Sequence, residues 1–295
     1  MSRPAVPDKR IRRFMARFTE RSGTMARFQD KVAIVSGGAD GMGAACVRQL
    51  AAEGAAVFAL DVKADVAQAL TEELSGSGAK VTALEADVLD EEKFRAALQT
   101  ALAAAGRVDV LINIAGGSAP GLVADIDLSV WDRLYRLNVR STLVACQEVL
   151  PMMRRQGRGS IVTMASISGL RGDPGWAAYN SAKAGIISLT QSLAWEEGLN
   201  GIRVNAICPG PVASERMLAT LPPEAFEQYD QASALGRMGR AEELAEAILF
   251  LASDQASFVT GAALVADGGL TARTGQPTDF DRVRSEEFAR RRGGK

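Results

Sequence analysis

From Lys31 onward, short runs of Val, Ile and Ala alternate with longer segments whose apolar residues recur at helical spacing. Short apolar runs between helical segments are typical of parallel strands that are buried on both faces. The predicted strands span residues 31–36, 55–60, 80–86, 109–114, 159–164, 202–207 and 262–266. The predicted helices span residues 42–53, 64–75, 91–105, 129–153, 176–199 and 241–252. This alternation predicts an α/β fold, in which residues 31–270 form a single Rossmann-like domain with a doubly wound, seven-stranded parallel sheet.

The first 30 residues differ from the rest because they contain eight Arg or Lys residues and only three acids. Four apolar residues among them follow helical spacing: Ile11, Phe14, Met15 and Phe18. This spacing predicts a short, basic amphipathic helix. The segment either packs on its own chain, or serves targeting or membrane-surface binding, or precedes a natural start at Met25 and has no function.

Two later segments also interrupt the alternation. Residues 211–237 contain three prolines and a weakly periodic apolar pattern, which predicts either a lid over the substrate or a surface helical hairpin. Residues 271–295 are polar and end in a basic run, so this tail is either disordered or wrapped around a neighbouring subunit.

The overall composition indicates a globular protein without a large net charge. The chain has 295 residues, 47% of them apolar, which is enough for a large core in one domain. Its 34 basic and 35 acidic residues nearly cancel, so no whole-chain field favours nucleic acid or an anionic membrane as a partner. No apolar run approaches the roughly 18 to 20 residues of a transmembrane helix.

The absence of histidine excludes Ser-His-Asp and Cys-His catalysis, as well as any metal site with a histidine ligand. Cys46, Cys146 and Cys208 are far apart in the sequence and form no CxxC pair. We therefore predict no metal site, and free thiols that suit a reducing cytoplasm. Proton transfer must use a side chain other than histidine.

A glycine-rich turn joins the first predicted strand to the first predicted helix. Its residues are Ser36, Gly37, Gly38, Ala39, Asp40, Gly41, Met42 and Gly43. Residues without a Cβ let the backbone N–H groups and the positive end of a helix approach a pyrophosphate. A strand before the turn, a helix after it and an acid on the next strand together favour a dinucleotide site over a plain turn.

That acid is Asp61, at the end of the second predicted strand. A carboxylate there accepts hydrogen bonds from ribose hydroxyls and repels a 2′-phosphate, so the predicted cofactor is NAD. Neither Asp40 nor Val62 offers a cation to such a phosphate. Lys63 is the one nearby residue that would favour a 2′-phosphate. The alternative is that its side chain is solvated at the start of the next helix.

Further cofactor contacts are predicted at the carboxyl ends of other strands, where open α/β sheets bind ligands. Asp87 and Val88 either meet the adenine edge, or Asp87 caps the helix that begins near residue 91. The other segments at this edge are Asn113, Ile114, Ala115 and Gly116 after the fourth strand, and Pro209 and Gly210 after the sixth.

Tyr179 and Lys183 stand four residues apart near the start of a long predicted helix, so they share one helix face. A tyrosine of reference pKa about 10 is a poor base at neutral pH, but a nearby ammonium favours its phenolate. We therefore predict that Lys183 lowers the pKa of Tyr179. Ser166 ends the fifth predicted strand, where its hydroxyl can hydrogen-bond a substrate oxygen.

Taken together, these motifs make residues 31–269 resemble the short-chain dehydrogenase/reductase family. The residues that carry the resemblance are Gly37, Gly41, Gly43, Asn113, Ala115, Gly116, Asn138, Ser166, Tyr179, Lys183, Pro209, Gly210 and the run 266–269. The resemblance implies that Tyr179 exchanges a proton with the substrate oxygen while Ser166 hydrogen-bonds that oxygen. It implies that Lys183 holds the nicotinamide ribose and that Asn138 positions a water of the proton path. Asn138 alone could instead be a residue that bends the helix.

The resemblance also implies contacts from Val212 and Ser214 to the nicotinamide carboxamide. The predicted substrate pocket consists of Gly117, Ser118, Ser168, Leu170 and Trp176. Trp176 either flanks a cyclic or aromatic substrate or packs at the helix start. No Arg or Lys of the predicted pocket is clearly placed to bind an acidic group of a substrate, so we predict that the substrate is a neutral secondary alcohol or ketone.

Two other functions remain open at this stage. An NADPH-dependent 3-oxoacyl-acyl-carrier-protein reductase shares the framework and would use the basic residues Arg154, Arg155 and Arg158. A catalytically idle NAD-sensing or scaffold protein is the alternative of another class. The resemblance implies a homotetramer, or a homodimer, paired through helices 129–153 and 176–199 and the last strand.

Overall fold

A computed structural model describes residues 26–76, 78–276, 283–288 and 290 of the chain. The predicted amphipathic helix of the first residues lies outside the described part of the chain. Most of the basic run at the C-terminus also lies outside it.

The strands of the predicted sheet are present, all parallel, and lie in the order β3-β2-β1-β4-β5-β6-β7. Their bounds are β1 (Val32–Ser36), β2 (Ala56–Asp61), β3 (Lys80–Glu85), β4 (Val110–Asn113), β5 (Gly159–Met164), β6 (Ile202–Pro209) and β7 (Ala263–Ala266). This order contains the reversal between β1 and β4 that is typical of a doubly wound sheet. The prediction of a Rossmann-like α/β fold is therefore confirmed.

Helices connect the strands across both faces of the sheet. Their bounds are α1 (Gly41–Ala52), α2 (Ala64–Ser75), α3 (Glu91–Ala105), α4 (Leu128–Tyr135), α5 (Ser141–Gln156), α6 (Ala177–Glu197), α7 (Glu215–Thr220), α8 (Pro223–Ala232) and α9 (Ala241–Ala252). Residues 211–237 therefore hold two short helices, α7 and α8, rather than extended chain.

Successive side chains of each strand point to opposite faces, which divides the apolar core between the two sides of the sheet. On β1, Ala33 and Val35 join α1 and α9 in a first cluster that contains Cys46. Val32 and Ile34 join α3 and α5 in a second cluster that contains Cys146. A third, smaller cluster lies between α6 and the ends of β5 and β6 and contains Cys208. Each cluster thus includes one buried, unpaired cysteine.

The packed part of the chain begins before the first strand. The side chain of Phe28 is 1% exposed and belongs to the first cluster. Arg27 holds this segment by hydrogen bonds to the carboxylates of Glu53, after α1, and Glu246, on α9. Residues 26–30 are therefore part of the folded domain, although the sequence analysis groups them with the preceding basic extension.

The predicted long helix 129–153 is interrupted in the structure. Residues Arg136–Arg140 form a π-helical turn between α4 and α5. At its centre, the Asn138 side-chain amide donates to the carbonyl of Leu134, one turn earlier, at 2.9 Å. Local π-helical turns of this kind are frequent at functional sites. Apolar periodicity does not show such a turn, because the helix axis continues through it.

Candidate active site

The carboxyl ends of the central strands bring the predicted site residues to one edge of the sheet. The strand registers place Ser36 opposite Asn113 and Asn113 opposite Thr163. The Ser36 hydroxyl donates to the Asn113 side-chain oxygen at 3.5 Å, and both residues are buried. Ser36 and Asn113 therefore join β1 to β4 within the core, and their backbones carry the loops that follow.

The glycine-rich turn is closely folded between β1 and α1. Gly37 has a φ of +73°, and a Cβ built on Gly43 would lie 1.8 Å from the Gly37 carbonyl oxygen. No side chain caps α1, although Asp40 occupies the position before its first turn. The N-terminal N–H groups of α1, at Gly41, Met42 and Gly43, therefore face the turn without a carboxylate acceptor. This arrangement fits a pyrophosphate, which glycine backbones and a helix N-terminus can approach closely.

Asp61 lies beside this turn at the end of β2. One carboxylate oxygen accepts from the backbone N–H of Ala39 and the other from that of Lys63, both at 3.0 Å. Each oxygen keeps a further lone pair for a ligand hydroxyl. The side chain of Val62, which follows Asp61, is 60% exposed.

Asp87 and Val88 follow β3 on the same side of the sheet. The Asp87 carboxylate accepts from the Leu89 N–H at 2.9 Å, while Asp90 caps α3 by accepting from Lys93. The alternative that Asp87 caps this helix is therefore wrong. The partly buried Val88 packs against the second apolar cluster.

The loop after β4 lies against the catalytic candidates. The N–H groups of Ile114 and Ala115 both donate to the Ser36 carbonyl at 3.0 Å, which draws this loop toward β1. A Cβ built on Gly116 would lie 2.6 Å from the Asn138 side-chain oxygen and 3.5 Å from the Lys183 nitrogen. Gly116 therefore allows Asn138 and Lys183 to approach the same stretch of backbone.

Tyr179, Ser166 and Lys183 lie together. The Ser166 hydroxyl bonds with the Tyr179 side chain and also accepts from the Ser168 N–H at 3.1 Å. The Lys183 nitrogen lies 5.5 Å from the centre of the Tyr179 ring and donates to the carbonyl of Met164, at the end of β5, at 2.7 Å. The i, i+4 spacing thus puts both side chains on the face of α6 that covers the sheet edge.

The prediction that Lys183 lowers the pKa of Tyr179 is wrong for this structure. Burial raises the pKa of the Tyr179 phenol, and the hydrogen bond with Ser166 offsets only part of that rise. Burial also lowers the pKa of Lys183 to about 7. Sequence spacing brings the two groups together, but it does not reveal that both lose their hydration.

We expect the free energy of unfolding to depend on pH because of the titration of Lys183. A lysine whose pKa is about 7 when folded binds fewer protons than the same lysine in the unfolded chain between about pH 7 and pH 10. The free energy of unfolding of the wild type should therefore rise with pH in this window, relative to a Lys183→Met variant, which cannot titrate there. Below about pH 6 the difference should be constant.

Urea denaturation of both proteins at successive pH values measures this difference. A Lys80→Met variant, which removes an exposed lysine of β3, should follow the wild type across the whole range. Parallel curves for the wild type and Lys183→Met would contradict the prediction.

Asn138 is fully buried in the π-helical turn. Its side-chain oxygen accepts from the Gly117 N–H at 3.3 Å, and its amide donates to the Gly117 carbonyl at 2.9 Å. The Asn138 carbonyl accepts from the Thr142 hydroxyl at 2.8 Å. Asn138 therefore both shapes the helix and fixes the loop after β4, so its two predicted roles are compatible.

The segment after β6 approaches the site from the other side. The Gly210 N–H donates to the carbonyl of Ala266 at 3.1 Å, and a Cβ on Gly210 would lie 2.7 Å from the Asp267 Cβ. The Val212 side chain packs into the first cluster. The Ser214 hydroxyl caps α7 by accepting from the Met217 N–H at 3.3 Å.

The predicted substrate-pocket residues lie in two loops, one after β4 and one between β5 and α6. Gly117 and Ser118 belong to the loop that Asn138 holds. Ser168 and Leu170 lie in or beside a single 3-10 turn, and Leu170 packs partly against the third cluster. Trp176 immediately precedes α6, is 36% exposed, and bridges to Gly121 of the first loop. The loops are thus tied together across the mouth of the site.

Two contacts of this site involve groups that sequence reasoning missed. The Met164 carbonyl holds the Lys183 nitrogen, and the Thr142 hydroxyl holds the Asn138 carbonyl. Every residue has a carbonyl, so the first contact leaves no signal in the sequence. The second follows from i, i+4 spacing, which places a hydroxyl one turn after Asn138 and could have been noticed.

Within the described residues, no group of three or more acidic or cysteine side chains could hold a metal ion. No described helix is long and apolar enough to cross a membrane.

Comparison with known proteins places the chain among oxidoreductases. Residues 37–271 match a family described as enoyl-(acyl carrier protein) reductase. A 2-(S)-hydroxypropyl-CoM dehydrogenase of Xanthobacter autotrophicus is 38% identical over 251 residues, covering 83% of this chain and 98% of that protein. A 3-oxoacyl-acyl-carrier-protein reductase of Thermotoga maritima is 37% identical over 244 residues, covering 83% and 99%.

The structure of a short-chain type dehydrogenase/reductase from Mycobacterium ulcerans superposes with a TM-score of 0.80 at 31% identity, covering 87% of this chain and 94% of that one. The family match, the identity over nearly whole relatives and the shared sheet agree with one another. This chain is therefore an oxidoreductase of the short-chain dehydrogenase/reductase family.

Proposed function

We propose that this protein transfers hydride between NAD(H) and a neutral secondary alcohol or ketone. The observation that carries the proposal is the meeting of Tyr179, Ser166 and Lys183 at the sheet edge that also holds the glycine-rich turn. When bound, the nicotinamide cofactor supplies the hydride acceptor or donor. The protein must then orient the substrate and move one proton.

Tyr179 would exchange that proton through its hydroxyl, and Ser166 would hydrogen-bond the substrate oxygen. Lys183, held by the Met164 carbonyl, would bind the nicotinamide ribose from a fixed position. Asn138 would anchor the proton path, because its contacts to Gly117 tie the π-helical turn to the cofactor loop. A catalytically idle scaffold would not need these four side chains together, which argues against that alternative.

NAD is the proposed cofactor because of how Asp61 is held. One of its carboxylate oxygens accepts from the backbone N–H of Ala39 in the glycine-rich turn, and the other accepts from the backbone N–H of Lys63. This double anchor fixes a negative charge where a ribose 2′-phosphate would lie, and like charges repel. The remaining proposed contacts to NAD come from Asp87, Val88, Ala115 and Gly116, together with the segment from Pro209 to Ser214.

A neutral, apolar substrate is proposed from the side chains at the mouth of the site. Leu122 and Val123, in the loop that bridges to Trp176, are 62% and 76% exposed. Exposed apolar groups around a polar centre are typical of a site for an apolar ligand. The relative from Xanthobacter autotrophicus is named for a secondary alcohol, which agrees with the proposed alcohol chemistry but does not bear on the charge of the substrate.

Reduction of a 3-oxoacyl group on carrier protein is the second candidate, because the family description and the Thermotoga maritima relative both name carrier-protein substrates. The basic residues invoked for carrier binding do not support it. Arg154 pairs with the buried Glu197, and Arg158 lies 3.7 Å from Asp109. These pairs lie at the amino ends of β4 and β5, whereas Tyr179 lies at the carboxyl ends of the strands.

Fluorescence titration with NADH and NADPH, followed by turnover of a panel of secondary alcohols and ketones, tests the proposal. We expect tighter binding of NADH and turnover of at least one small or cyclic secondary alcohol. Preference for NADPH together with reduction of an acyl-carrier substrate would favour the second candidate. Failure to bind either dinucleotide would contradict both.

We also propose a homotetramer, or a homodimer, located in the cytoplasm. Trp195 on α6 and Val265 on β7 are exposed, at 89% and 38%, on elements predicted to pair subunits. The thiols of all three cysteines are buried and unpaired, as suits a reducing compartment. Sedimentation analysis would give the number of subunits.

A further inference from the structure

The C-terminal tail contacts the end of α8, the second helix of the predicted lid at residues 211–237. Residues 283–288 of the tail are helical and carry Arg284. The Arg284 guanidinium donates to the backbone carbonyl of Ser233 and, at 3.5 Å, to that of Ala234. These two residues directly follow α8. The tail therefore binds the point at which this helix of the same chain ends.

The lid buries little of its own surface. Its base is closed by a bridge between Val212 and Gly239. Among the side chains that the structure describes from residue 213 to residue 238, only that of Ser233 is buried, with 3% exposure. A segment with few buried side chains opens locally at a low free-energy cost. Ser233 is therefore the buried anchor of the lid beyond its base.

Ser233 joins the lid to the segment that follows β7. Its hydroxyl donates to the Gly268 carbonyl at 3.0 Å, and the N–H of Leu235 donates to the same carbonyl at 3.1 Å. Asp267, the residue before Gly268, packs closely against Gly210 of the proposed cofactor segment. A contact that fixes Ser233 therefore also fixes the lid relative to the segment proposed to bind the nicotinamide.

The positive charge of Arg284 suits the end of α8. The last turn of this helix, residues 229–232, contains Asp230 and no Lys or Arg. A helix C-terminus carries unpaired carbonyls and a partial negative charge, so a cation stabilises it and a carboxylate does not. Arg284, which follows Ser233 by 51 residues, supplies the cation that the helix itself lacks.

We propose that Arg284 is a positioning residue for the lid, and that it holds Ser233 and the end of α8 where the lid can close on the substrate. The inference rests on the proposed hydride transfer, because it assigns part of the substrate affinity to the lid. Arg284 acts through Ser233 and Gly268, and not by contact with the reacting atoms. Its loss weakens substrate binding and leaves the chemical step unchanged.

Steady-state kinetics of an Arg284→Met variant of the full chain test this role. The substrate is the alcohol or ketone that the wild type turns over fastest. We expect its KM to rise by about three- to tenfold, as for the loss of a cation at a helix C-terminus. Both kcat and the dissociation constant of NADH should stay within about twofold of the wild type. Arg284→Lys keeps a cationic donor and should restore KM to within about twofold.

Amide hydrogen exchange measures the lid without turnover. In Arg284→Met, the backbone amides of residues 223–236 should exchange about three- to tenfold faster than in the wild type, because the lost contact opposes local opening. The amides of α3, which packs in the second apolar cluster, should exchange at the wild-type rate.

Arg290→Met is the matched control. Arg290 lies on the same tail and pairs with Glu287, which also belongs to the tail. The substitution thus removes the same formal charge from a pair within the tail. Both KM and the exchange of residues 223–236 should remain those of the wild type.

Unchanged KM in Arg284→Met, or an equal rise in Arg290→Met, would overturn the assignment. Faster exchange of the lid with an unchanged KM would overturn it as well, because α8 would then be held without any effect on the substrate. If the wild type turns over no alcohol or ketone, the proposed function fails, and the exchange comparison alone decides whether Arg284 holds the lid.

Discussion

Replacing Tyr179 with phenylalanine is expected to lower kcat by roughly 10²- to 10⁴-fold, the usual contribution of a positioned general acid or base. The variant loses only the hydroxyl that bonds with Ser166 and keeps the ring beside Lys183. Dinucleotide affinity should therefore change little. Steady-state turnover, with NADH binding measured on the same samples, separates the chemical step from cofactor binding.

Tyr135→Phe is the matched control for this experiment. Tyr135 lies on α4, is 45% exposed, and its hydroxyl is near Gly185 on the outer part of α6. Its removal should leave kcat within about twofold of the wild type, as expected for a surface substitution away from the reacting groups. Substantial residual turnover in Tyr179→Phe would remove Tyr179 from the role of proton donor.

Gly43→Ala is expected to destabilise the protein and to impair dinucleotide binding, although alanine is the better helix former by about 1 kcal/mol. The added Cβ would lie 1.8 Å from the Gly37 carbonyl oxygen, and backbone cannot move aside as a flexible side chain can. Inserting atoms into such a packed position costs typically about 1–3 kcal/mol. The turn must also open, which should weaken NADH binding by at least about tenfold.

Thermal unfolding and NADH titration measure both parts of this prediction. Gly76→Ala serves as the control. Gly76 has a φ of −62°, in the right-handed helical region, and there is open space where its Cβ would be. That variant should be neutral or more stable by up to about 1 kcal/mol. Equal behaviour of the two alanine variants would show that the close approach at Gly43 has no energetic consequence.

The central strands of the sheet could be predicted because they are buried on both faces. On β1, every residue from Val32 to Ser36 is buried, and such a run has few alternatives between helical segments. The pairing of Tyr179 with Lys183 was also predictable, because helix geometry alone puts i and i+4 on one face.

Other features depend on tertiary contacts that a sequence pattern does not show. Asp87 and Asp90 both precede α3, and only the loop conformation decides that Asp90 is the cap. The direction of the Tyr179 pKa shift depends on how deeply neighbouring segments bury the ring. The π-helical turn at Asn138 depends on its two hydrogen bonds to Gly117, which lies 21 residues earlier.

The three cysteines give the folded molecule a property beyond its proposed chemistry. Burial raises the pKa of Cys146 to about 12 and that of Cys208 to about 11, and it raises the pKa of Cys46 as well. The thiolate is the reactive form, so thiol reagents reach these groups only when the surrounding layer opens. With one cysteine in each apolar cluster, the order in which they are alkylated would map which layer of the protein loosens first, and no labelling site would have to be introduced.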